Sequence, residues 1–269
     1  VLKAGYSLSV MGNRRREPVE RLVGLGATEC TSPADVAVNS DIVILCVTTS
    51  DAVEELVFGS EGLLKGANPG LLLIDCGTSS PDSTQRISEA LQKIDCSMMD
   101  VPLGKSAAAA ESGTLNMMAG GSARDFERAK PLLDTMSENL FHLGPVGTGH
   151  KIKLINNAFS MSVAVLIAEL VNAARATDVD LQLLFDVMSS GPLNSQFFEW
   201  NMEASLTGDE SKLQFSLQNG LKDIGYFVDM LRQQGIEPNV PAAAQAKLEQ
   251  AVSDGHGEDF VGSLARHLA

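Results

Sequence analysis

The sequence predicts an α/β domain built on a doubly wound sheet, followed by an all-α domain. Three observations support this fold class for a chain of 269 residues. The first half alternates short apolar, β-branched runs with helical patterns, which is typical of βαβ units. From about Gly149 onward the patterns are helical and strand signals are few. Because Pro145, Gly147 and Gly149 mark a boundary, we expect residues 1–146 to form the α/β domain and residues 147–269 the helical domain.

Four strands are predicted in the first half, with amphipathic helices between them. The strand runs are almost continuously apolar, as expected where helices cover both faces of a parallel sheet. In such Rossmann-type sheets, ligands bind at the carboxyl ends of the strands. The predicted strands are residues 6–11, 41–47, 70–75 and 96–102, and the predicted helices are residues 17–26, 32–40 and 80–93.

The sequence begins with "VLKAGYSLSVMGN", which predicts the end of a helix, a glycine and then a strand. A dinucleotide-binding domain opens instead with a strand, a G-x-G-x-x-G turn and a helix whose N-terminus holds the pyrophosphate. We therefore expect roughly 20 residues, the length of one such unit, to precede Val1 in the natural protein.

The first helix of the second half is strongly apolar over residues 158–176. It carries Glu169, Asn172 and Arg175, which are expensive in hydrocarbon, so we expect a buried helix and not a membrane span. Its apolar residues extend further around the helix than one small helical domain requires. This pattern favours a homodimer or homotetramer in which a partner subunit covers the helix.

The formal net charge of −14 argues against nucleic acid or an anionic membrane as the main partner, because like charges repel. A small anion can still bind at a local basic spot. The cysteines are far apart and lack CxxC spacing, so we interpret them as buried thiols of a reducing compartment and expect a cytoplasmic protein without a metal site. They are Cys30, Cys46, Cys76 and Cys96.

The stretch "VGTGHKIKLINNAFS", residues 146–160, has a glycine-rich helix start followed by Lys153, Asn156 and Asn157, which are candidates for binding or catalysis. Lys153 and Asn157 are four residues apart and share a helix face, so both can reach one small ligand. Apolar residues flank Lys153, and we expect partial desolvation to lower its pKa toward the range that is useful for proton transfer. Asn156 and Asn157 need hydrogen-bond partners in an apolar helix, which favours a binding role. A snorkelling lysine beside two structural amides is the alternative.

Five motifs occur in order along the chain: Asp100-Val101-Pro102, Gly113-Thr114-Leu115, Gly120-Gly121, Gly147-x-Gly149-x-x-x-Lys153-x-x-Asn156-Asn157 and Lys222-Asp223. Together they resemble the β-hydroxyacid dehydrogenase family, which includes 3-hydroxyisobutyrate dehydrogenase and is related to 6-phosphogluconate dehydrogenase. The resemblance covers nearly the whole chain except the opening glycine-rich turn. It implies hydride transfer between a nicotinamide cofactor and a small alcohol or aldehyde.

The resemblance also implies roles for the three candidate residues of the 146–160 stretch. Lys153 corresponds to the general acid that protonates the carbonyl oxygen during reduction and acts as the base in the reverse direction. Asn157 corresponds to the amide that holds the substrate oxygen, and Asn156 lies beside it in the sequence.

Cofactor contacts follow from the same resemblance. The loops "CVTTS" and "DCGTSSP" match loops that pack on the cofactor and its nicotinamide ribose, and a lysine of the helical domain matches one that closes over the cofactor. Ordinary loop hydrogen bonding of the threonines and a solvated helix lysine are the alternatives. The residues concerned are Val47, Thr48, Thr78 and Lys222.

The stretch "MGNRRREP" bears on the choice between NAD and NADP. An acidic residue at this place accepts hydrogen bonds from the adenosine ribose of NAD, whereas an arginine accommodates the 2′-phosphate of NADP. Asn13 stands where the acid would be, and Arg14, Arg15 and Arg16 follow it. These guanidinium groups favour NADP over NAD, with a solvated helix start as the alternative interpretation.

The turn after Asp-x-Pro reads Ser-Gly-Gly in most of the family and binds the substrate carboxylate. Here it reads Gly104-Lys105-Ser106, which favours a larger tetrahedral anion such as a sulfonate. With "KLINN", the stretch resembles the sulfolactaldehyde reductases of the family, whose turn reads Gly-Arg-Thr. The expected reaction is therefore on a small anionic aldehyde, with 3-sulfolactaldehyde going to 2,3-dihydroxypropane-1-sulfonate as the leading candidate.

Other substrates and functions stay open at this point. Lys105 as an ordinary surface lysine would leave carboxylates such as 3-hydroxyisobutyrate, tartronate semialdehyde or succinate semialdehyde. A non-catalytic binding protein on the same fold is disfavoured by the presence of Lys153 and by the acidic charge. An imine reductase on this scaffold usually lacks the lysine that corresponds to Lys153, so the presence of Lys153 also disfavours that function.

Overall fold

The computed structural model describes residues 1–12 and 15–268. The chain divides into two compact units, Val1–Lys153 and Leu154–Ala269. The first unit combines strands and helices, and the second is helical. The fold class predicted from the sequence, a Rossmann-type α/β domain followed by an all-α domain, is confirmed.

The first unit has two sheets among its described residues. β1 and β2 form a parallel pair, and the larger sheet has the order β3-β4-β5-β7-β6, with β8 also paired to β7. The strands are β1 Ser9–Val10, β2 Thr28–Glu29, β3 Ile42–Leu45, β4 Leu72–Asp75, β5 Ser97–Asp100, β6 Leu103–Gly104, β7 Leu115–Gly120 and β8 Ser137–Gly144.

The larger sheet is mixed, which corrects the wholly parallel sheet that the sequence predicted. β3, β4 and β5 are parallel, but β7 is antiparallel to both β5 and β6. A turn and the short helix α6 (Ala107–Ser112) connect β6 to β7. This connection is too short for the crossover that parallel strands need, so the chain returns antiparallel.

Helices cover both faces of the sheet in the first unit. Ser32, Thr49 and Ser122 each begin a helix with a side-chain oxygen that accepts a backbone N–H three residues later. Besides α6, the α-helices that begin in the described part of the first unit before α8 are α1 Glu17–Gly24, α2 Pro33–Val38, α3 Ser50–Phe58, α4 Leu63–Gly66, α5 Pro81–Gln92 and α7 Ala123–Leu133.

The central strand β4 shows why its sequence is apolar at every position, since all four of its residues are buried. Leu73 packs with Ile87 in one core cluster, whereas Leu72 and Ile74 pack with Phe126 in the other. Burial of each such side chain stabilises the fold by roughly 1.5–3 kcal/mol. The covered sheet therefore holds the carboxyl ends of its strands in fixed positions.

The cysteines differ in exposure. Cys30, Cys76 and Cys96 are buried and free, as predicted, but Cys46 is exposed because it follows the end of β3. Burial raises the pKa of the Cys76 thiol well above its usual value, which keeps this thiol protonated.

The second unit is built on one long helix and the helices packed against it. Its core includes Met161, Val165 and Val171 of α8 together with Leu217 and Leu248. The helices are α8 Thr148–Ala176, α9 Leu181–Ser189, α10 Gln196–Thr207, α11 Leu217–Arg232, α12 Asn239–Ala251 and α13 Leu264–His267. The first residues of α8, up to Lys153, belong to the first unit.

Helix α8 is long and apolar enough to cross a membrane by length and composition alone. Half of its most apolar window is buried inside the structure, however, and its buried residues form the core of the second unit. This is the behaviour of a core helix, as the charged and amide residues along it predicted.

Candidate active site

The carboxyl ends of β3 and β4 lie side by side and carry three of the predicted cofactor residues. The Cys76 N–H donates to the Leu45 carbonyl at 2.7 Å, and the Ser80 N–H donates to Ser50 Oγ at 2.8 Å. These hydrogen bonds join the loop with Val47 and Thr48 to the loop with Thr78. Val47, Thr48 and Thr78 therefore lie at one edge of the sheet, and their contact with a cofactor stays a prediction.

The loop after β4 is shaped by a buried carboxylate. Asp75 accepts a hydrogen bond from the Gly77 N–H at 2.8 Å and another from Ser79 Oγ at 2.7 Å. A Cβ on Gly77 would lie 2.8 Å from the Val47 carbonyl oxygen, so only glycine fits without movement. Helices α3 and α5 both begin at this edge. A tight glycine loop and two helix N-termini suit the close approach of a dinucleotide.

The residues predicted to select NADP are only partly described. Asn13 and Arg14 lie outside the described residues. Arg15 is exposed, with its guanidinium 3.9 Å from the Glu17 carboxylate. Arg16 binds both carboxylate oxygens of Glu29. Among the described arginines of this stretch, Arg15 therefore has the weaker carboxylate contact.

The predicted anion-binding turn follows β6. Lys105 has a φ of 75°, in the left-handed region that costs a lysine roughly 1–2 kcal/mol. Its ammonium group forms an ion pair with Glu138. Ser106 caps α6, and its Oγ accepts the Ala109 N–H at 3.4 Å. Gly104 is half-buried, and its backbone pairs with Asn116 of β7. The turn is thus accessible and carries a positive charge that one carboxylate already partners.

Asp100 connects the end of β5 to the start of α8. Its Oδ1 accepts the Gly147 N–H at 2.6 Å, and its Oδ2 accepts the His150 N–H at 2.7 Å. Burial raises the pKa of this carboxyl, while the two N–H donors oppose the rise. A Cβ on Gly149 would lie 2.3 Å from the Met118 carbonyl oxygen. The first turn of α8 therefore packs closely against the sheet, which fixes the position of the helix start from which the chain continues to Lys153.

A buried histidine lies in the same turn of α8. His150 Nδ1 is 2.7 Å from Thr84 Oγ1, and its Nε2 is 3.7 Å from Asp75 Oδ2. The side chains of His150, Asp75 and Asp100 are essentially inaccessible to solvent. This polar cluster connects α8 to α5 and to the ends of β4 and β5, and its His150 lies three residues before Lys153 in the sequence.

The three candidate residues Lys153, Asn156 and Asn157 all lie on one helix, α8, as predicted. Lys153 is half-buried, Asn156 is exposed and Asn157 is 7% exposed. Asn157 Oδ1 accepts a hydrogen bond from Asn156 Nδ2 at 3.1 Å, and Asn157 Nδ2 donates to Asp223 Oδ2 at 2.6 Å. These bonds fix the orientation of the Asn157 amide and leave its second N–H for another acceptor.

Lys222 belongs to the second unit, where it lies close to Asn157. Lys222 Nζ is 2.9 Å from Asp223 Oδ1 and 5.5 Å from the centroid of the Tyr226 ring. Asp223 is 2% exposed, and its two carboxylate oxygens contact Lys222 and the Asn157 amide. Lys222 and Asn157 were both predicted from the sequence. The buried carboxylate itself was not.

Sequence reasoning therefore missed four residues that organise the candidate site. Asp100 and Asp223 stand in motifs that were recognised, and an acidic residue at the end of an apolar strand was a usable signal for the first. Nothing local to the sequence indicated that His150 would meet a threonine 66 positions away. The four residues are Asp75, Asp100, His150 and Asp223.

This combination of features defines a class of protein. A Rossmann-type sheet edge prepared for a dinucleotide, with a helix that carries a lysine and two asparagines, is the arrangement of a nicotinamide-dependent oxidoreductase. Residues 1–144 match the family profile described as the NAD binding domain of 6-phosphogluconate dehydrogenase. Residues 147–268 match the profile described as NAD-binding of NADP-dependent 3-hydroxyisobutyrate dehydrogenase. The chain belongs to the 3-hydroxyisobutyrate dehydrogenase family, as its motifs predicted.

Named relatives agree with this assignment. The chain is 31% identical over 257 residues to the 3-sulfolactaldehyde reductase of Escherichia coli, a match that covers 96% of this chain and 86% of the relative. It is 35% identical over 193 residues to the NAD-dependent L-serine dehydrogenase of Pseudomonas aeruginosa, covering 71% of this chain and 64% of the relative. The protein is thus an NAD(P)-dependent β-hydroxyacid dehydrogenase that acts on hydroxyl groups.

A solved structure shares the fold over almost the whole chain. The 3-hydroxyisobutyrate dehydrogenase of Mycobacterium tuberculosis, solved with L-serine, superposes with a TM-score of 0.87 at 22% identity and covers 99% of this chain and 92% of its own. The Salmonella typhimurium 3-hydroxyisobutyrate dehydrogenase gives a TM-score of 0.83 at 24% identity, with coverage of 98% and 92%.

Proposed function

We propose that the protein reduces a short anionic aldehyde to the corresponding alcohol, with 3-sulfolactaldehyde and 2,3-dihydroxypropane-1-sulfonate as the substrate pair. The observation that carries the proposal is the placement of Lys153 and Asn157 one turn apart on α8. Asp100 anchors the start of this helix, and Asp223 holds the Asn157 amide. A proton donor and an amide donor are therefore preorganised along one helix face.

The proton chemistry is assigned to residues of α8. When bound, the nicotinamide ring supplies the hydride that reduces the carbonyl carbon. Lys153 gives a proton from its ammonium group to the carbonyl oxygen, so that the product is a neutral alcohol and the lysine side chain becomes a neutral amine. Asn157 donates its remaining amide N–H to the same oxygen, and Asn156 keeps the Asn157 amide in that orientation. In the oxidative direction Lys153 removes the hydroxyl proton.

The turn Gly104-Lys105-Ser106 is assigned to the anionic end of the substrate. The ammonium group of Lys105 offers a positive charge, and the Ser106 hydroxyl can donate while it accepts from Ala109. A sulfonate has three oxygens to satisfy, whereas a carboxylate has two. The similarity to a named 3-sulfolactaldehyde reductase over 96% of the chain supports the sulfonate.

A carboxylate substrate is the second candidate function. It is favoured by the 35% identity to a named L-serine dehydrogenase and by the 29% identity to a named L-threonate dehydrogenase. 3-Hydroxyisobutyrate, tartronate semialdehyde and succinate semialdehyde belong to this class. The ion pair between Lys105 and Glu138 also weakens the cation that the sulfonate assignment needs.

NADP is the proposed cofactor, in preference to NAD, because Asn13 stands where the acidic residue expected for NAD would be and Arg14 and Arg15 follow it. We further propose a cytoplasmic homodimer or homotetramer. Support comes from exposed apolar side chains on α8, since Phe159 is 70% and Leu166 54% exposed. Such exposure favours burial against a second copy.

The catalytic assignment is tested by Lys153→Ala, with Lys151→Ala as the matched control on the same helix, where Lys151 is exposed. Loss of the general acid should lower kcat by roughly 10²- to 10⁴-fold. The control should retain nearly full activity. Circular dichroism establishes that both variants fold. Unchanged turnover by a folded Lys153→Ala would disprove the role of Lys153.

Substrate class is tested by kcat/KM for sulfonate and carboxylate aldehydes, measured in parallel with NADP and NAD. Lys105→Ala should reduce the preference for the sulfonate about tenfold, equivalent to about 1.4 kcal/mol. Glu138→Gln should lower KM for the sulfonate, because it releases the ammonium of Lys105. Lys130→Ala is the control, since Lys130 pairs with Asp134 on a surface helix. If Lys105→Ala leaves the ratio of kcat/KM for the sulfonate to kcat/KM for the carboxylates unchanged, the turn does not select the anion.

A further inference from the structure

A cluster of two histidines and one aspartate lies in the second unit, close to its C-terminal helix α13. His256 Nδ1 and His267 Nε2 are each 3.1 Å from the same oxygen, Asp259 Oδ2. One ligand atom from each residue lies within 4.8 Å of the other two. The two imidazole rings are stacked, with centroids 3.7 Å apart. The candidate active-site chemistry uses none of these residues.

Backbone hydrogen bonds hold the cluster in place. Asp259 donates its N–H to the His256 carbonyl at 3.0 Å, and its own carbonyl accepts the Leu217 N–H at 2.9 Å. The Val261 N–H donates to the Phe215 carbonyl at 2.9 Å, which completes a short antiparallel bridge beside α11. The backbone on both sides of Asp259 is thus tied to the rest of the unit.

The distances are close to those of a metal site. Ligand atoms bound tetrahedrally at about 2.0–2.1 Å lie about 3.4 Å from one another. The two N···O separations of 3.1 Å are somewhat shorter than this value and are hydrogen-bond distances, and His267 Nε2 also lies 3.1 Å from Ser263 Oγ, so these hydrogen bonds must give way when an ion binds. The near-parallel rings, 18° apart, must tilt so that their lone pairs converge on one point. Partial exposure of His256 and Asp259, about 40% and 46% for their side chains, leaves an entry path and an open position for water.

Charge at the cluster also suits a cation. The adjacent Arg266 is paired with Glu210, which reduces its repulsion of a cation. The chain carries a net charge of −14, so its overall field also attracts cations.

We propose that His256, Asp259 and His267 bind one divalent first-row transition ion, with Zn²⁺ as the expected ion. Two imidazole nitrogens and one carboxylate oxygen suit Zn²⁺, whereas Mg²⁺ and Ca²⁺ prefer oxygen ligands throughout. The ion would link the turn at residues 256–259 to α13, and its role is structural. The proposal is independent of the reaction assigned to Lys153.

The test uses the full chain, freed of metal by dialysis against a chelator and titrated with ZnCl₂ by calorimetry. One equivalent should bind, and Zn²⁺ should raise the melting temperature. Asp259→Asn and His256→Gln should each weaken Zn²⁺ binding by at least ~10- to 100-fold, because a direct ligand is lost. His142→Gln, which changes an exposed histidine of the first unit, should bind Zn²⁺ as the wild type does. Cobalt(II) in place of zinc should give the intense visible absorption of a tetrahedral site.

Three results overturn the proposal: no saturable binding by the wild type, wild-type affinity in both ligand variants, or equal loss of binding in His142→Gln. Circular dichroism accompanies each titration. If Asp259→Asn does not fold, His256→Gln decides the question alone, because its side chain is partly exposed. MgCl₂ at the same concentration serves as the ion control and should not raise the melting temperature.

Discussion

Replacement of Asp100 by asparagine tests the connection between the sheet and the helix that carries Lys153. The two carboxylate oxygens accept backbone N–H groups of Gly147 and His150 at 2.6 Å and 2.7 Å. Asparagine is nearly the same size but has only one oxygen. Its amide NH₂ would face one of these backbone N–H groups, so two donors would oppose each other in a buried place.

The magnitude follows from the hydrogen bonds that change. One charge-assisted bond is lost, at about 1.5–3 kcal/mol, and the other becomes neutral and weaker. Removal of a buried charge offsets part of this loss, since burial already penalises the ionised Asp100. We expect a net loss of about 2–3 kcal/mol in the free energy of unfolding of the first unit. Activity should also fall, because the start of α8 is no longer fixed.

The assay is urea unfolding followed by circular dichroism, with steady-state kinetics on the same samples. Asp134→Asn is the control, because Asp134 forms only an exposed ion pair with Lys130 and should change stability by less than about 1 kcal/mol. If Asp100→Asn unfolds at the same urea concentration as the wild type and keeps its kcat, the two hydrogen bonds do not anchor α8 and the reasoning is refuted.

Three further predictions follow from the same region and from α8. Burial raises the pKa of Asp100 above its ordinary value of 3.8. The contribution of this carboxyl to the free energy of unfolding is therefore complete below pH 3.8 and is lost as the pH rises through the pKa of the folded state. The difference in unfolding free energy between wild type and Asp100→Asn, measured by urea titration, should narrow as the pH rises. Gly149→Ala places a Cβ 2.3 Å from a backbone oxygen and should destabilise by roughly 1–3 kcal/mol or more, whereas Gly24→Ala meets open space at the end of α1 and should be neutral or slightly stabilising in thermal unfolding. Asp223→Asn removes the charge that binds the Asn157 amide and should raise KM for the aldehyde several-fold in steady-state assays, and an unchanged KM would contradict a role for this amide in substrate binding.

Much of the fold could be read from local pattern. The apolar runs over residues 41–47 and 70–75 contain β3 and β4, and the helical pattern over residues 80–93 contains α5. The four predicted strands extend one to three residues beyond the observed strands at one end or both, although the predicted end of β4 at Asp75 is correct, because apolar or small residues continue into the adjoining loops. The antiparallel return of β7 was missed, since periodicity reports strand formation but not strand direction.

The candidate site was predictable where it depends on motif spacing. Lys153 and Asn157 share a helix, and Val47 and Thr78 reach one sheet edge, because helix periodicity and parallel strand order fix these relations. The partner of the Lys105 ammonium, Glu138, was not predictable. It comes from β8, a strand brought to the turn only by the pairing of β8 with β7.

The sequence by itself determined the succession of an α/β part and a helical part and the family, since both depend on patterns that are local along the chain, and it is the source of the proposal that Lys153 transfers the proton. The tertiary structure alone decided that Asp100 anchors α8, that Asp223 holds Asn157, and that His256 and His267 both contact the same carboxylate oxygen of Asp259. Such contacts depend on the packing of whole elements, which brings distant side chains within hydrogen-bond distance and removes the water that would otherwise separate them.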